Sequence, residues 1–315
     1  MTTTRLGADS LWRVRAVRHH AYATALVLGV CLVVALLSLL AFTDARAEVR
    51  PLTARAMGEV VRSGSDSVDV TWRSPDGEER TVSVRLAIAP PPAGTRAEVA
   101  YDPHTPEHAV VPGAEVLASM DRGASGLAFT AVVCLGVLVV GVFRLATRTR
   151  LRRRSPRRAV VRRVRVQQGL MARSWLETES EPQRWIPVCF DPALVTMPSP
   201  TEVSLLGDPL RDRLVAARVG DALLLPSGPV TAREPRGRRS DFPSRPDDDA
   251  TARAAGAARF TRQLRVDAAL VVPAPLIGLF WAYLDGGGVV VWAAASAVSA
   301  AVGLWWASLR GADPS

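Results

Sequence analysis

The 315-residue chain contains no lysine and no asparagine. All 39 of its basic residues are therefore arginine, which resembles coding bias in a very GC-rich bacterial genome more than a choice of partner. Cysteine is scarce as well. Cys31 and Cys134 lie inside apolar runs and Cys189 stands in a later polar block, so no disulfide can staple the first polar block. The familiar chemistry-bearing patterns are missing too. No GxxxxGK(S/T) or GxGxxG phosphate loop occurs, no HExxH or CxxC spacing, and no GxSxG nucleophile turn. His104 and His108, with Asp102 and Glu107 nearby, come closest to a metal or base cluster, but they flank Pro106 and read as loop histidines. His19 and His20, beside Arg18, read as residues of a membrane entry, and Asp247-Asp248-Asp249 reads as a solvated acidic run. The expectation is a non-enzymatic protein with no catalytic, cofactor or metal residues and no cofactor. A membrane hydrolase using His104 and Asp102 is the minor enzymatic alternative.

Charge is absent from four long apolar runs, Ala21–Phe42, Gly123–Phe143, Ala268–Leu284 and Gly286–Leu309. About 20 helical residues cross a hydrocarbon core of roughly 30 Å, so a single soluble globule is excluded. Ion-coupled carriers need charged groups at depth, which makes transport a secondary reading, kept here as an oligomeric channel or transporter component. Arginine distribution sets the expected facing. Arg13, Arg15 and Arg18 precede the first run, 11 arginines fill residues 144–165 after the second, and Arg310 follows the fourth, whereas residues 43–122 hold 9 Arg against 13 acids. Arginine near span ends marks the cytoplasmic side.

The expected fold class is therefore a polytopic α-helical membrane protein with four transmembrane helices and two small mainly-β domains, one on each side of the membrane. Its expected parts are a cytoplasmic N-terminus (1–20), helix one (21–42), an extracytoplasmic β domain (43–122) and helix two (123–143). A cytoplasmic Arg-rich leader (144–165), a cytoplasmic β domain (166–234) and a linker (235–258) follow, then helices three (268–284) and four (286–309) and a tail (310–315). The first run also loosely fits a signal peptide ending at Ala45-Arg46-Ala47, although its length favours a retained anchor. Pro273 and Pro275 predict a kink inside the third helix. Small residues at spacing four, Ala295, Ser299, Gly303 and Ala307 in the fourth run and Gly126, Thr130 and Cys134 in the second, are candidate helix-packing ridges.

Residues 56–101 alternate as half-buried strands do, with Val70, Trp72, Val84, Val99 and Tyr101 as candidate core, and Pro75-Asp76-Gly77 marks a turn. The order Gly58-Glu59-Val60-Val61, Val68-Asp69-Val70-Thr71-Trp72, Pro75-Asp76-Gly77, Gly94 and Val99-Ala100-Tyr101-Asp102-Pro103-His104-Thr105-Pro106 resembles the bacterial membrane proteins of the domain-of-unknown-function 3592 group. The resemblance covers about residues 56–106. It implies a small β module with flanking membrane helices and brings no activity.

In the Arg-rich segment, Arg148, Arg150, Arg152, Arg153 and Arg154 are the candidate lipid-facing patch, with guanidinium forks suited to phosphates of an anionic leaflet. No zinc-finger spacing, recognition helix or aromatic interleaving accompanies these arginines, so nucleic acid is not an expected partner. The expected partners are anionic lipid headgroups and another membrane or envelope protein. The expected role is to present small β modules for protein contacts from the bacterial cytoplasmic membrane, as a multi-pass protein with both termini cytoplasmic.

Overall fold

Long stretches free of proline and charge let a backbone satisfy its own hydrogen bonds without water, and two such stretches become very long helices. In the computed structural model, which describes residues 11–74, 76–243 and 245–315, these are α1 (Arg15–Val49) and α2 (Glu115–Arg150), the latter extended by a 3₁₀ turn at Leu151–Arg153. Residues 1–10 of the expected N-terminal segment, Pro75 of the expected turn and Ser244 of the expected linker lie outside the described residues. At 35 and 36 residues, α1 and α2 are each about 50 Å long, more than a hydrocarbon core requires. The chain divides into two compact units at Val30/Cys31 and at Val133/Cys134.

The smaller unit carries an antiparallel five-stranded sheet of order β3-β2-β1-β4-β5. Its strands are β1 (Ala54–Ser63), β2 (Ser67–Arg73), β3 (Glu79–Arg85), β4 (Arg96–Tyr101) and the short β5 (Ala109–Val110). Alternation explains the core. Val68, Val70 and Trp72 of β2 face Val60, Val84, Val99 and Tyr101, all buried, and the Trp72 and Tyr101 rings lie 5.9 Å apart. Gly58 sits where a Cβ would come within 2.8 Å of both Val70 and Val99. Gly58→Val should therefore destabilise this unit by about 1–3 kcal/mol through overpacking. Chemical unfolding followed by Trp72 fluorescence would check it, and an unchanged midpoint would show that β1 can move aside.

The larger unit is built on a seven-stranded sheet. Its strands are β6 (Pro156–Gln168), β7 (Met171–Thr178), β8 (Trp185–Val188), β9 (Thr201–Leu206), β10 (Ala216–Val219), β11 (Ala222–Leu224) and β12 (Arg238–Asp241). They run in the order β11-β10-β9-β6-β7-β8, with β12 paired to the second half of β6. Nearly half of the Arg-rich segment, from Pro156 on, is thus the central strand, because Val161, Val164 and Val166 bury on its two faces. Helices α3 (Ala193–Thr196) and α4 (Ala250–Ala258) complete a core around Val161, Leu176, Ile186, Leu194, Leu205 and Leu224. The segment expected to be a linker supplies β12 and α4, since alanines at 250, 254 and 257 give α4 a buried face. Three further helices follow, α5 (Phe260–Asp267), α6 (Ala274–Asp285) and α7 (Gly288–Arg310).

The expected four transmembrane helices are corrected here. Among the described residues, three helices are long and apolar enough to cross a membrane: Arg15–Val49, Glu115–Arg153 and Gly288–Arg310. The segment 268–284 is not one helix. It divides into a 3₁₀ turn at Ala268–Leu270, a step through Val271–Pro273, and α6, with a bend of 46° between the segments on either side. Pro273 and Pro275 have no N–H to offer the preceding turn, so the helix restarts with Pro273 as its N-cap. At 12 residues α6 is about 18 Å long, short of a hydrocarbon core of about 30 Å. The chain is accordingly not a four-helix polytopic protein. The described residues form seven α-helices, three of them candidate spans, and two β-sheets.

Candidate functional site

The alternation of β6 sets up the polar centre of the larger unit. Val161, Arg163 and Arg165 share one parity, so a strand that begins by feeding the apolar core ends by turning two arginines toward the same face. Arg163 is fully buried. Its Nη1 donates to the Leu194 carbonyl at 2.9 Å, its Nη2 to Asp313 Oδ2 at 3.2 Å and to Ser315 Oγ at 2.8 Å, and Phe242 lies 3.8 Å from the guanidinium carbon. Burial pushes this guanidinium below its usual range, and the Asp313 carboxylate opposes the shift.

Asp313 arrives there because Gly311 ends α7 in the left-handed conformation, φ 68°. That turn lays residues 311–314 against β7. Ala312 bridges Arg173, the Asp313 N–H donates to the Ala172 carbonyl at 2.9 Å, and Ser174 Oγ donates to Asp313 Oδ2 at 2.5 Å. Residues 311–314 of the segment expected as a cytoplasmic tail are thus buried. Arg173 is held beside it by the Arg310 carbonyl and Ser227 Oγ. Burial, reinforced by Arg310, Arg148 and Arg144, lowers its pKa to about 10.

Next to this network lies a cavity of about 380 Å³. Arg165, Arg253 and Arg262 line it with the apolar surfaces of Val195, Met197 and Phe242. Arg165 has a buried Nε without a hydrogen-bond partner. Arg253 grips Asp247 through both terminal nitrogens at 2.6 and 2.9 Å, and Arg262 Nε donates to the Pro314 carbonyl at 2.7 Å. Asp241 is the one side-chain carboxylate lining the cavity among the described residues, and it accepts from Arg239 Nε at 2.7 Å.

The same unit joins His19 to this centre. His19 Nε2 lies 2.9 Å from Asp267 Oδ2, and Asp267 is only 3% exposed. Gln263 donates through Nε2 to Asp267 Oδ1 and to the Ala312 carbonyl. His20 pairs instead with Ser308 Oγ at 3.3 Å. Nothing in the spacing of His19 and Asp267, 248 residues apart, signals this pair.

The smaller unit offers a different kind of surface. The Leu86 N–H donates to the Asp66 carbonyl, which by antiparallel alternation turns the N–H and C=O groups of Thr81 and Ser83 away from β2, while an antiparallel bridge between Leu86 and Ala114 covers the end of the edge beyond them. That free edge opens into a groove of about 690 Å³ whose walls carry Asp44, Glu48, Glu107 and Glu115 against Arg85 and His108. Asp102 closes the loop before the groove, accepting from the His104 N–H at 2.9 Å and Thr105 Oγ1 at 2.8 Å. These bonds hold its carboxyl below the usual range. No group of three His, Cys, Asp or Glu among the described residues is placed to hold a metal ion.

The sequence-predicted residues scatter. Arg148 donates to the carbonyls of Ser227 and Leu309, Arg154 pairs with Asp212, Arg150 and Arg153 are exposed, and Arg152 is partly buried. Further along, Arg157, Arg158 and Arg162 meet Asp208, Glu202 and Glu179. Gly126 packs against Ser38, and Thr130 is buried with its hydroxyl on the Gly126 and Leu127 carbonyls, while Cys134 is half-buried. Gly303 faces the Leu270 carbonyl, where a Cβ would stand 2.6 Å away; Ala295 and Ala307 are buried and Ser299 half-buried. Cys189 is buried, and burial pushes its thiol up despite Arg148, Arg173 and Arg144 nearby. No protein-family model matches the chain, no curated protein matches it, and no solved structure does.

Proposed function

We propose that this is a non-enzymatic membrane protein that presents its five-stranded sheet for protein contact. Its partner is another membrane or envelope protein, which adds an extended basic segment along β3. The observation that carries this reading is the free β3 edge opening into a groove with four carboxylates. Main-chain pairing supplies affinity in such strand addition, and the acidic walls select a basic chain.

The arginine asymmetry supports placing the five-stranded sheet outside and the seven-stranded sheet in the cytoplasm. Helices α6 and α7 form an antiparallel hairpin, with Gly278 against Ser296 and Gly303 against Leu270. Taken as one broken span, the bent segment from Phe260 to Asp285 pairs with α7 to return the chain to the side it left, which supports a cytoplasmic position for both residues 11–14 and 311–315. Anionic headgroups are the proposed partners of exposed Arg150 and Arg153. The likeness of residues 56–106 to the unknown-function group fits the architecture and adds no activity.

A photo-crosslinking residue at Ser83 in the full chain, in native membranes, tests the reading, with Glu59 on the interior strand β1 as control. The expected result is a discrete adduct from Ser83 alone, lost when Asp44, Glu48, Glu107 and Glu115 are all changed to their amides. Identical adduct patterns from both positions would overturn it.

A further inference from the structure

Two of the arginines in the seven-stranded unit that keep free N–H groups line one cavity. Arg165 makes no hydrogen bond or ion pair with any described residue, and its Nε is shielded from water. Arg262 is tethered through Nε alone, which leaves its two terminal nitrogens without partners among the described residues. Both line the cavity beside β12, α4 and α5. Its only side-chain carboxylate among the described residues, Asp241, is already engaged by Arg239, and Arg253 is neutralised by Asp247. Arg165 is half-buried and Arg262 exposed, so an anion over the apolar floor can reach the free N–H groups of both.

We propose that this cavity binds a phosphate group carried on a small apolar body, with Arg165 and Arg262 on the phosphate and Val195, Met197 and Phe242 receiving the body. Guanidinium forks match phosphate oxygens two at a time, and two guanidiniums supply more charge than a single carboxylate would balance. The volume of about 380 Å³ lies at the small end of ligand pockets, so it admits a small molecule or one lipid headgroup and excludes a nucleic acid strand. Both sources share the same chemistry. A headgroup would arrive from the bilayer side, because α5 opens the bent apolar segment that runs to Asp285, and a soluble organic phosphate from the aqueous side. The inference stands apart from the β3 edge, which belongs to the other unit.

Calorimetric titration of the full chain in a phosphate-free maltoside detergent tests it, with two probes, phenyl phosphate and dihexanoyl phosphatidic acid below its micelle concentration. Benzyl alcohol controls for the apolar body alone. The expected result is saturable binding of at least one phosphate probe and none of benzyl alcohol. Saturation by phenyl phosphate alone assigns a soluble ligand, and saturation by the phosphatidic acid alone assigns a headgroup. Arg165→Gln and Arg262→Gln should each weaken binding by about tenfold or more, the scale of one charge-assisted hydrogen bond. Gly256→Phe provides a second route that leaves every arginine in place. A Cβ at Gly256 meets nothing within 4 Å, so the ring can enter the cavity without disturbing the helix, and binding should vanish while the melting temperature holds. Failure of both probes to saturate, or unweakened binding by a folded Gly256→Phe protein, would overturn the proposal.

Discussion

Asp313→Ala is expected to destabilise the seven-stranded unit by about 3–5 kcal/mol, the cost of leaving a buried charge without its counter-ion. Arg163 is fully buried, and without Asp313 it would keep only the Leu194 carbonyl, Ser315 Oγ and the Phe242 ring. The same substitution strips Ser174 Oγ of its acceptor. A loss of that size is a large share of the 5–15 kcal/mol that holds an ordinary domain together. Denaturant unfolding in detergent, followed by the fluorescence of Trp175 and Trp185 in the adjoining strands, gives the number. The double variant Arg163→Met, Asp313→Leu should recover most of the loss, because an apolar pair of similar volume removes the desolvation problem altogether. A single Asp313→Ala protein as stable as the parent would show that the 311–314 segment is not held by this pair.

The second large effect is expected at Gly278. In α6 its position faces the α7 backbone: a Cβ there would collide with Ser296 Oγ and stand 2.7 Å from the Trp292 carbonyl. Backbone cannot rotate out of the way as a side-chain tip can, so Gly278→Leu must separate α6 from α7. Its cost should reach about 3 kcal/mol or more, the upper part of the overpacking range. The Trp292 Nε1 donor to the Pro275 carbonyl, 3.0 Å in the hairpin, would be lost with it. Thermal unfolding in detergent for Gly278→Ala and Gly278→Leu provides the test. A Leu variant melting at the parent temperature would mean that the two helices have room between them.

How much of this was legible beforehand differs from element to element. The strands of the smaller sheet could be read from strict alternation, and Val70, Trp72, Val84, Val99 and Tyr101 are indeed its buried side chains. The third apolar run could not be read as it folds. Its hydropathy is that of a span, and the loss of two closely spaced backbone donors at Pro273 and Pro275 converts it into a short helix after a bend. The packing glycine of that region, Gly278, gives no spacing signal because its neighbours Ser296 and Trp292 belong to another helix. In the sequence, Arg163 and Arg165 are simply two more members of the Arg-rich leader. The signal that could have separated them was the Val161, Val164, Val166 pattern, which makes the run a two-faced strand. The His19–Asp267 pair had no local signal at all.

Composition and periodicity alone determined that long apolar helices coexist with two β-rich blocks, because hydropathy and side-chain period act over neighbouring residues and need no knowledge of what packs across from them. Which arginines stay in water and which are buried was decided only by tertiary structure. Burying a guanidinium is tolerable only where a carboxylate and carbonyls are already fixed in place, and for Arg163 those come from residues 31 and 150 positions away. The unpaired Arg165 and Arg262, brought to one cavity from β6 and α5, exist as a site for the same reason: their proximity is a property of the folded chain and of no segment within it.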